Sequence, residues 1–137
     1  INLERADLST SLLKPELYGH NHAGNVVLSG GKCRCGYVFF PWQDFGCEQC
    51  GVSGDALVAM DLAGAGELIA SSQVHLHADE SRPVPFVVGT IALDDGPVIR
   101  TLLTCDAHAP ARMRAVLEPV STGGHVLDLR FAPESSR

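Results

Sequence analysis

Apolar and polar positions trade places through most of the second half of the chain. Residues 67–78 alternate, residues 84–93 are β-branched and apolar, and residues 98–105, 113–120 and 125–131 are further strand-like runs. A period of two turns one face to a core and the other to solvent, which predicts strands rather than helices. Asp94-Asp95-Gly96-Pro97 divides two of these runs as a hairpin turn, and Ser121-Thr122-Gly123-Gly124 divides two more. An earlier apolar run covers residues 56–62, and Gly64-Ala65-Gly66 after it marks a bulge or turn. Five or six strands with tight turns and no long helix between them predict a mainly β fold. A small closed barrel of the OB type is the first choice and an open sandwich the second.

The first 19 residues carry another period. Leu8 and Leu12, then Leu13 and Leu17, fall four apart and would share a helix face. Pro15 interrupts that face, so two short helical pieces are expected, with Gly19 closing the second. A strand at Val26-Val27-Leu28 and a turn at Gly30-Gly31 are expected to follow.

Cysteine spacing changes the picture most. Cys33-Arg34-Cys35-Gly36 and Cys47-Glu48-Gln49-Cys50-Gly51 form two pairs with eleven residues between them, while Cys105 lies far off. Five cysteines are an odd count, which weakens a disulfide framework and favours a reducing compartment. Four thiolates complete a tetrahedral Zn²⁺ shell with no open position, the pattern of a structural site. In C-x-x-C-G, Gly51 allows the tight turn after the ligand. In C-x-C, an extended backbone would put Cys33 and Cys35 on one face, with Gly36 bending the chain afterwards. Cys33, Cys35, Cys47 and Cys50 are therefore the expected ligands. His20 or His22 is the substitute, though both read better as part of a polar turn. Zinc is favoured over iron because the first pair is short and no other redox feature accompanies it. The expected organisation is a helical extension over residues 1–24, a zinc ribbon over 25–53 and an OB-fold barrel over 54–137.

Five aromatics, Tyr37, Phe39, Phe40, Trp42 and Phe45, crowd into residues 37–45 of a chain that has eight in all. They either cover a zinc lobe too small to build its own core, or Phe39, Phe40, Trp42 and Phe45 offer an apolar surface to a partner or ligand.

Composition narrows the function classes. Hydrophobic residues make up 45% and charged residues 19%, enough apolar content for a packed core. The formal net charge is −6, and the two Lys and eight Arg form no run. A nucleic-acid backbone, which needs a clustered positive surface, is a poor ligand for such a chain. No apolar run approaches the ~20 residues of a membrane helix, and no basic-then-apolar leader stands at the N-terminus. A cytoplasmic, membrane-free protein is expected.

No nucleophile elbow, phosphate-cradling loop or dinucleotide fingerprint is present. His75 and His77 share a face that reads as an exposed strand surface. Cys105, beside Asp106 and His108, reads as a small buried apolar residue at a strand end rather than a nucleophile. Arg82 and Arg100 are the best candidates for an anion contact, and Asp94 and Asp95 are turn residues.

Taken in order, these pieces resemble a known family. The ribbon has Phe40-Pro41 after the first cysteine pair and C-x-x-C-G at the second. Then come a Gly-x-Gly strand start, Pro85-Phe86-Val87-Val88-Gly89-Thr90-Ile91-Ala92-Leu93-Asp94-Asp95-Gly96-Pro97, and a terminal Arg130-Phe131-Ala132-Pro133. Over residues 30–133 the chain is similar to the acyl-CoA-associated OB-fold proteins with an N-terminal rubredoxin-like zinc ribbon. One departure is Lys32 where the first ribbon cysteine usually stands, with Cys33 displaced by one. The resemblance implies a non-catalytic subunit of a CoA-dependent thiolase complex, paired with a thiolase-fold catalytic subunit as two copies of each chain. The expected role is to assist acyl-CoA binding or channelling during C–C bond cleavage. Zn²⁺ would be structural, acyl-CoA the shared ligand, and the catalytic Cys and His would sit on the partner. Among such subunits, the small size and ribbon look similar to those of the small subunit of the benzylsuccinate-pathway thiolase. A free-standing acyl-CoA carrier is the alternative, and a single-stranded nucleic-acid module a weaker one.

Overall fold

The computed structural model describes residues 11–75, 85–120 and 125–134. Two short strands, β1 (Ser11–Leu12) and β2 (Tyr18–His20), open the described chain. Then come β3 (Val26–Cys33), β4 (Val38–Phe39), one 3₁₀ turn (Gly54–Ala56) and β5 (Leu57–Ala63). The remainder is β6 (Ala65–Val74), β7 (Phe86–Leu93), β8 (Val98–Leu102), β9 (Ala111–Pro119) and β10 (Val126–Pro133).

The described part of the N-terminal stretch forms strands and turns where helix was expected. Residues 11–19 contain no α-helix: Ser11 and Leu12 lie parallel to Val126 and Leu127, and Tyr18–His20 pairs antiparallel with Val26–Leu28. Leu12, Leu13 and Leu17 instead meet existing strand edges, where ladder hydrogen bonds outweigh a weak local preference. The earlier part of that expectation, residues 1–10, lies outside the described residues.

β6 through β10 curl into a half-barrel, with strand order β1-β10-β9-β6-β7-β8. Its two ends approach at a parallel bridge between Leu103 and Phe131, where the Thr104 amide donates to the Phe131 carbonyl at 3.0 Å. The alternation in β7 is strict, with every second residue buried. In β6 it breaks at a bulge between Leu68 and Ala70, which leaves Ile69 exposed.

A four-stranded sheet packs beside the half-barrel, with β3 paired to β2, β4 and β5. The two sheets share one core: Leu28 of β3 and Leu62 of β5 join Leu68, Ile91, Met113 and Phe131, all fully buried. A smaller cluster of Cys33, Phe39, Cys47 and Leu57 lies under the ribbon.

Gly30 and Gly31, expected to turn, instead run straight through β3. Packing explains both glycines. A Cβ at Gly31 would stand 2.6 Å from the Phe39 ring and 2.7 Å from that of Trp42, and one at Gly30 would meet Leu62 at 2.7 Å. The Asp94–Pro97 hairpin forms as expected, closed by Gly96 N–H to Leu93 O at 3.0 Å with Gly96 at φ +125°. Its aspartates also tie neighbouring elements. Arg112 of β9 grips Asp94 through two bonds of 2.9 and 2.7 Å, and Asp95 accepts the Ala63 amide at 2.8 Å. Among the described residues, no helix is long and apolar enough to cross a membrane.

Candidate metal centre and ligand surfaces

Two loops converge to make the cysteine cluster. Cys33 is the last residue of β3 and Cys35 lies in the turn after it, closed by Gly36 N–H to Cys33 O at 2.8 Å. That turn, with Gly36 at φ +102°, rather than an extended C-x-C, aims both sulfurs inward. The second loop folds the same way: Gly51 donates to Cys47 O at 2.9 Å and takes φ +83°. All four Sγ atoms lie within 4.8 Å of one another. Cys33 and Cys50 are 3.6 Å apart and Cys35 and Cys47 3.7 Å. Zn–S bonds of about 2.3 Å in a tetrahedron require sulfurs roughly 3.8 Å apart, so the cluster fits a Zn²⁺ ion. His20 and His22 are exposed and stand outside it.

The surroundings suit thiolates. Amides of Gln49 and Cys50 donate to Cys47 Sγ at 3.3 and 3.4 Å, and the Cys35 amide donates to Cys33 Sγ at 3.5 Å. Burial pushes the Cys47 thiol up, but the Cys50 and Gln49 amides and the neighbouring sulfurs outweigh it and draw it down to about 6. At Cys33 the Cys35 amide pulls the thiol down, yet burial and the three nearby sulfurs push it up to about 12. Four sulfurs this close cannot all carry charge unaided, and a bound divalent cation would supply the compensation. Cys33, Cys35, Cys47 and Cys50 can thus hold a metal ion.

The ribbon aromatics divide by burial. Phe39 is buried and stacks on Trp42 with ring centroids 6.0 Å apart, and on Tyr37 at 6.3 Å. Phe40 is half-buried against the main core. Trp42 is 38% exposed and Phe45 82%, and with Val98 of the β7–β8 hairpin they rim a recess of about 420 Å³.

A second cavity, about 370 Å³, opens where β8 and β10 diverge from the Leu103–Phe131 bridge. Lys14, Leu17 and Tyr18 line it from the N-terminal arm, Phe40 from the ribbon, Ile99 and Arg100 from β8, and Asp128, Leu129 and Arg130 from β10. Two of the expected contact residues, Phe40 and Arg100, therefore meet there. Arg82 lies outside the described residues.

Lys14, Tyr18, Asp128 and Arg130 were missed in the sequence. Asp128 and Arg130 fall two apart in β10, on one strand face, and that polar pair inside an apolar run was the available signal. Tyr18 was hidden by the helical reading of its segment. Cys105, expected as a small buried residue, is exposed, and His108 faces Asp106 at 4.0 Å.

No family model matches the sequence. The fold is similar to that of a chain in a solved Ltp2-ChsH2(DUF35) aldolase. The TM-score is 0.61 at 19% identity, and the match covers 78% of this chain and 84% of that one. At this identity the likeness is one of fold.

Proposed function

We propose that this chain is a non-catalytic, zinc-bearing subunit of a CoA-dependent thiolase complex, and that it assists the binding or channelling of acyl-CoA during C–C bond cleavage. The observation that carries the reading is the fold likeness to a chain of a DUF35 aldolase assembly. The strand order supports an OB-type barrel: β6, β7 and β8 run in sequence, and the seam at Leu103–Phe131 returns through β10 and β9 to β6. In this reading residues 25–53 are the ribbon, its four cysteines hold zinc, and residues 54–137 are the barrel.

Thiolase chemistry needs an activated cysteine and donors for a developing oxyanion. Cys105 has no hydrogen-bond partner among the described residues, so the reading assigns those groups to the partner chain. The exposed rim of Trp42, Phe45 and Val98 is the surface we assign to that partner, because large apolar side chains at an interface centre lose the most water on docking. The finer proposal is thiolytic cleavage of benzoylsuccinyl-CoA to benzoyl-CoA and succinyl-CoA. It rests on the resemblance of the small size and ribbon to the small subunit of the benzylsuccinate-pathway thiolase.

Native mass spectrometry of the chain captured from its own cell extract tests the assignment. A hetero-oligomer with a larger thiolase-fold subunit, and zinc on this chain, is the expected result. A lone zinc-bearing monomer under conditions that preserve weak complexes overturns it and leaves the free acyl-CoA carrier as the reading to pursue.

A further inference from the structure

We infer that the cavity in the seam between β8 and β10 binds a small amphipathic anion, a carboxylate or phosphate carried on an apolar body. The inference concerns this chain alone and does not depend on a thiolase partner.

Charge is the first argument. The chain is formally −6 and has ten Lys and Arg in all, yet Lys14, Arg100 and Arg130 line this one cavity, with Asp128 the one carboxylate among the described lining residues. Asp128 is already committed. It accepts from Tyr18 Oη at 2.5 Å, from the Leu129 amide at 2.8 Å and from Arg130 Nη1 at 3.0 Å. Lys14 and Arg100 also line the cavity, and neither has a side-chain hydrogen bond or ion pair with another described residue. Arg130 is pre-set rather than free. Its Nη1 also donates to Leu129 O at 2.8 Å and its side chain is 18% exposed, which fixes the plane of the guanidinium beside the cavity. A pinned guanidinium loses little freedom on binding, and its planar fork matches carboxylate and phosphate oxygens.

The apolar lining sets the rest of the ligand. Leu17, Phe40, Phe86, Ile99, Leu102 and Leu129 surround the charged groups. About 370 Å³ lies within the range of small-molecule sites. An inorganic ion would leave most of that lining wet, whereas a short alkyl, acyl or aryl body would cover it.

The test is an amide-resonance titration of the full zinc-loaded chain with hexanoate, with hexyl phosphate and with hexanol as the neutral control. Saturable shifts confined to Lys14, Tyr18, Thr101, Leu102 and Asp128–Arg130, with either anion and not with hexanol, are expected. Arg100→Gln is expected to weaken the anion at least about tenfold, and Lys14→Gln by less. Arg34→Gln, a cation beside the cysteine cluster, is expected to leave it unchanged. All three variants alter exposed side chains, so folding is preserved, and the unperturbed part of the spectrum verifies it. The tighter of the two anions identifies the head group as carboxylate or phosphate. Absence of saturable shifts, equal binding of hexanol, or an unchanged affinity in Arg100→Gln each overturn the inference.

Discussion

The phenolic oxygen of Tyr18 donates a 2.5 Å hydrogen bond to Oδ1 of Asp128, across 110 residues of sequence. Tyr18 is only 2% exposed, so this contact fastens the N-terminal arm to β10 from within. Tyr18→Phe keeps the ring and removes the donor. A hydrogen bond to a charged group contributes roughly 1.5–3 kcal/mol, and the variant is expected to lose about that much. Urea unfolding of the zinc-loaded proteins measures it, and an unchanged midpoint would show that the arm is held by packing alone.

The same pair predicts how stability responds to pH. Burial raises the Asp128 carboxyl, but hydrogen bonds from Tyr18 and Arg130 outweigh it and hold the group below the usual carboxylate range. Its contribution is therefore present above the unfolded value, about 3.9, and is lost as pH falls through the lowered folded value. Tyr18 moves the other way, from 10.0 to about 12, through burial first and then the bond to Asp128. Its contribution is complete below pH 10 and is lost as pH rises toward 12. Melting temperatures of wild type and Tyr18→Phe should differ most near neutrality and converge in strong acid and strong base.

Stripping metal from the proposed zinc site should loosen the ribbon before the half-barrel. The cluster of Cys33, Phe39, Cys47 and Leu57 contains two of the four cysteines that can hold a metal ion, whereas the main core contains none. Chelation is expected to shift Trp42 emission to the red as its stack on Phe39 opens, while the β-sheet circular dichroism largely persists. Cys47→Ser should do the same at full zinc supply. One retained equivalent of zinc with native stability in that variant would mean that the ligand set is wrong.

Gly31→Ala tests the close approach inside β3. The added methyl would stand 2.6 Å from the Phe39 ring and 2.7 Å from that of Trp42, so the stack must shift. Overpacking of this kind costs about 1–3 kcal/mol. The variant should be less stable by that amount, with altered Trp42 fluorescence, and an alanine accommodated at no cost would show that the aromatics are free to move.

Phe45→Ser separates folding from docking. The ring is 82% exposed, and its loss is expected to change stability by less than about 0.5 kcal/mol. Partner capture should nonetheless weaken at least about tenfold, as truncation of a large aromatic at an interface centre does. Undiminished capture would remove the ribbon rim from the interface.

Much of the molecule is legible without coordinates, and the exceptions share one cause. The strands of the second half announce themselves because alternation is a local property of each run, and so does the hairpin at Asp94–Pro97. The metal-competent cysteines are readable because their spacing brings donors together within short loops. The misread segments are those whose partners lie far along the chain. Leu12 and Leu17 suggest a helix until β10 and β3 offer edges. Gly30 and Gly31 suggest a turn until Phe39, Trp42 and Leu62 explain the missing side chains.

The amino-acid sequence by itself thus determined a mainly β chain with an acidic balance and a four-cysteine site. These follow from periodicity, composition and short-range spacing, each complete within a few residues. Only the tertiary structure decided that the N-terminal arm is strand, that Tyr18 latches onto Asp128, and that Lys14, Arg100 and Arg130 meet at one seam. Those three cations come from the arm, β8 and β10, and no local pattern records such a meeting. It exists because the sheet curls until its ends touch at Leu103 and Phe131 and part again beside them.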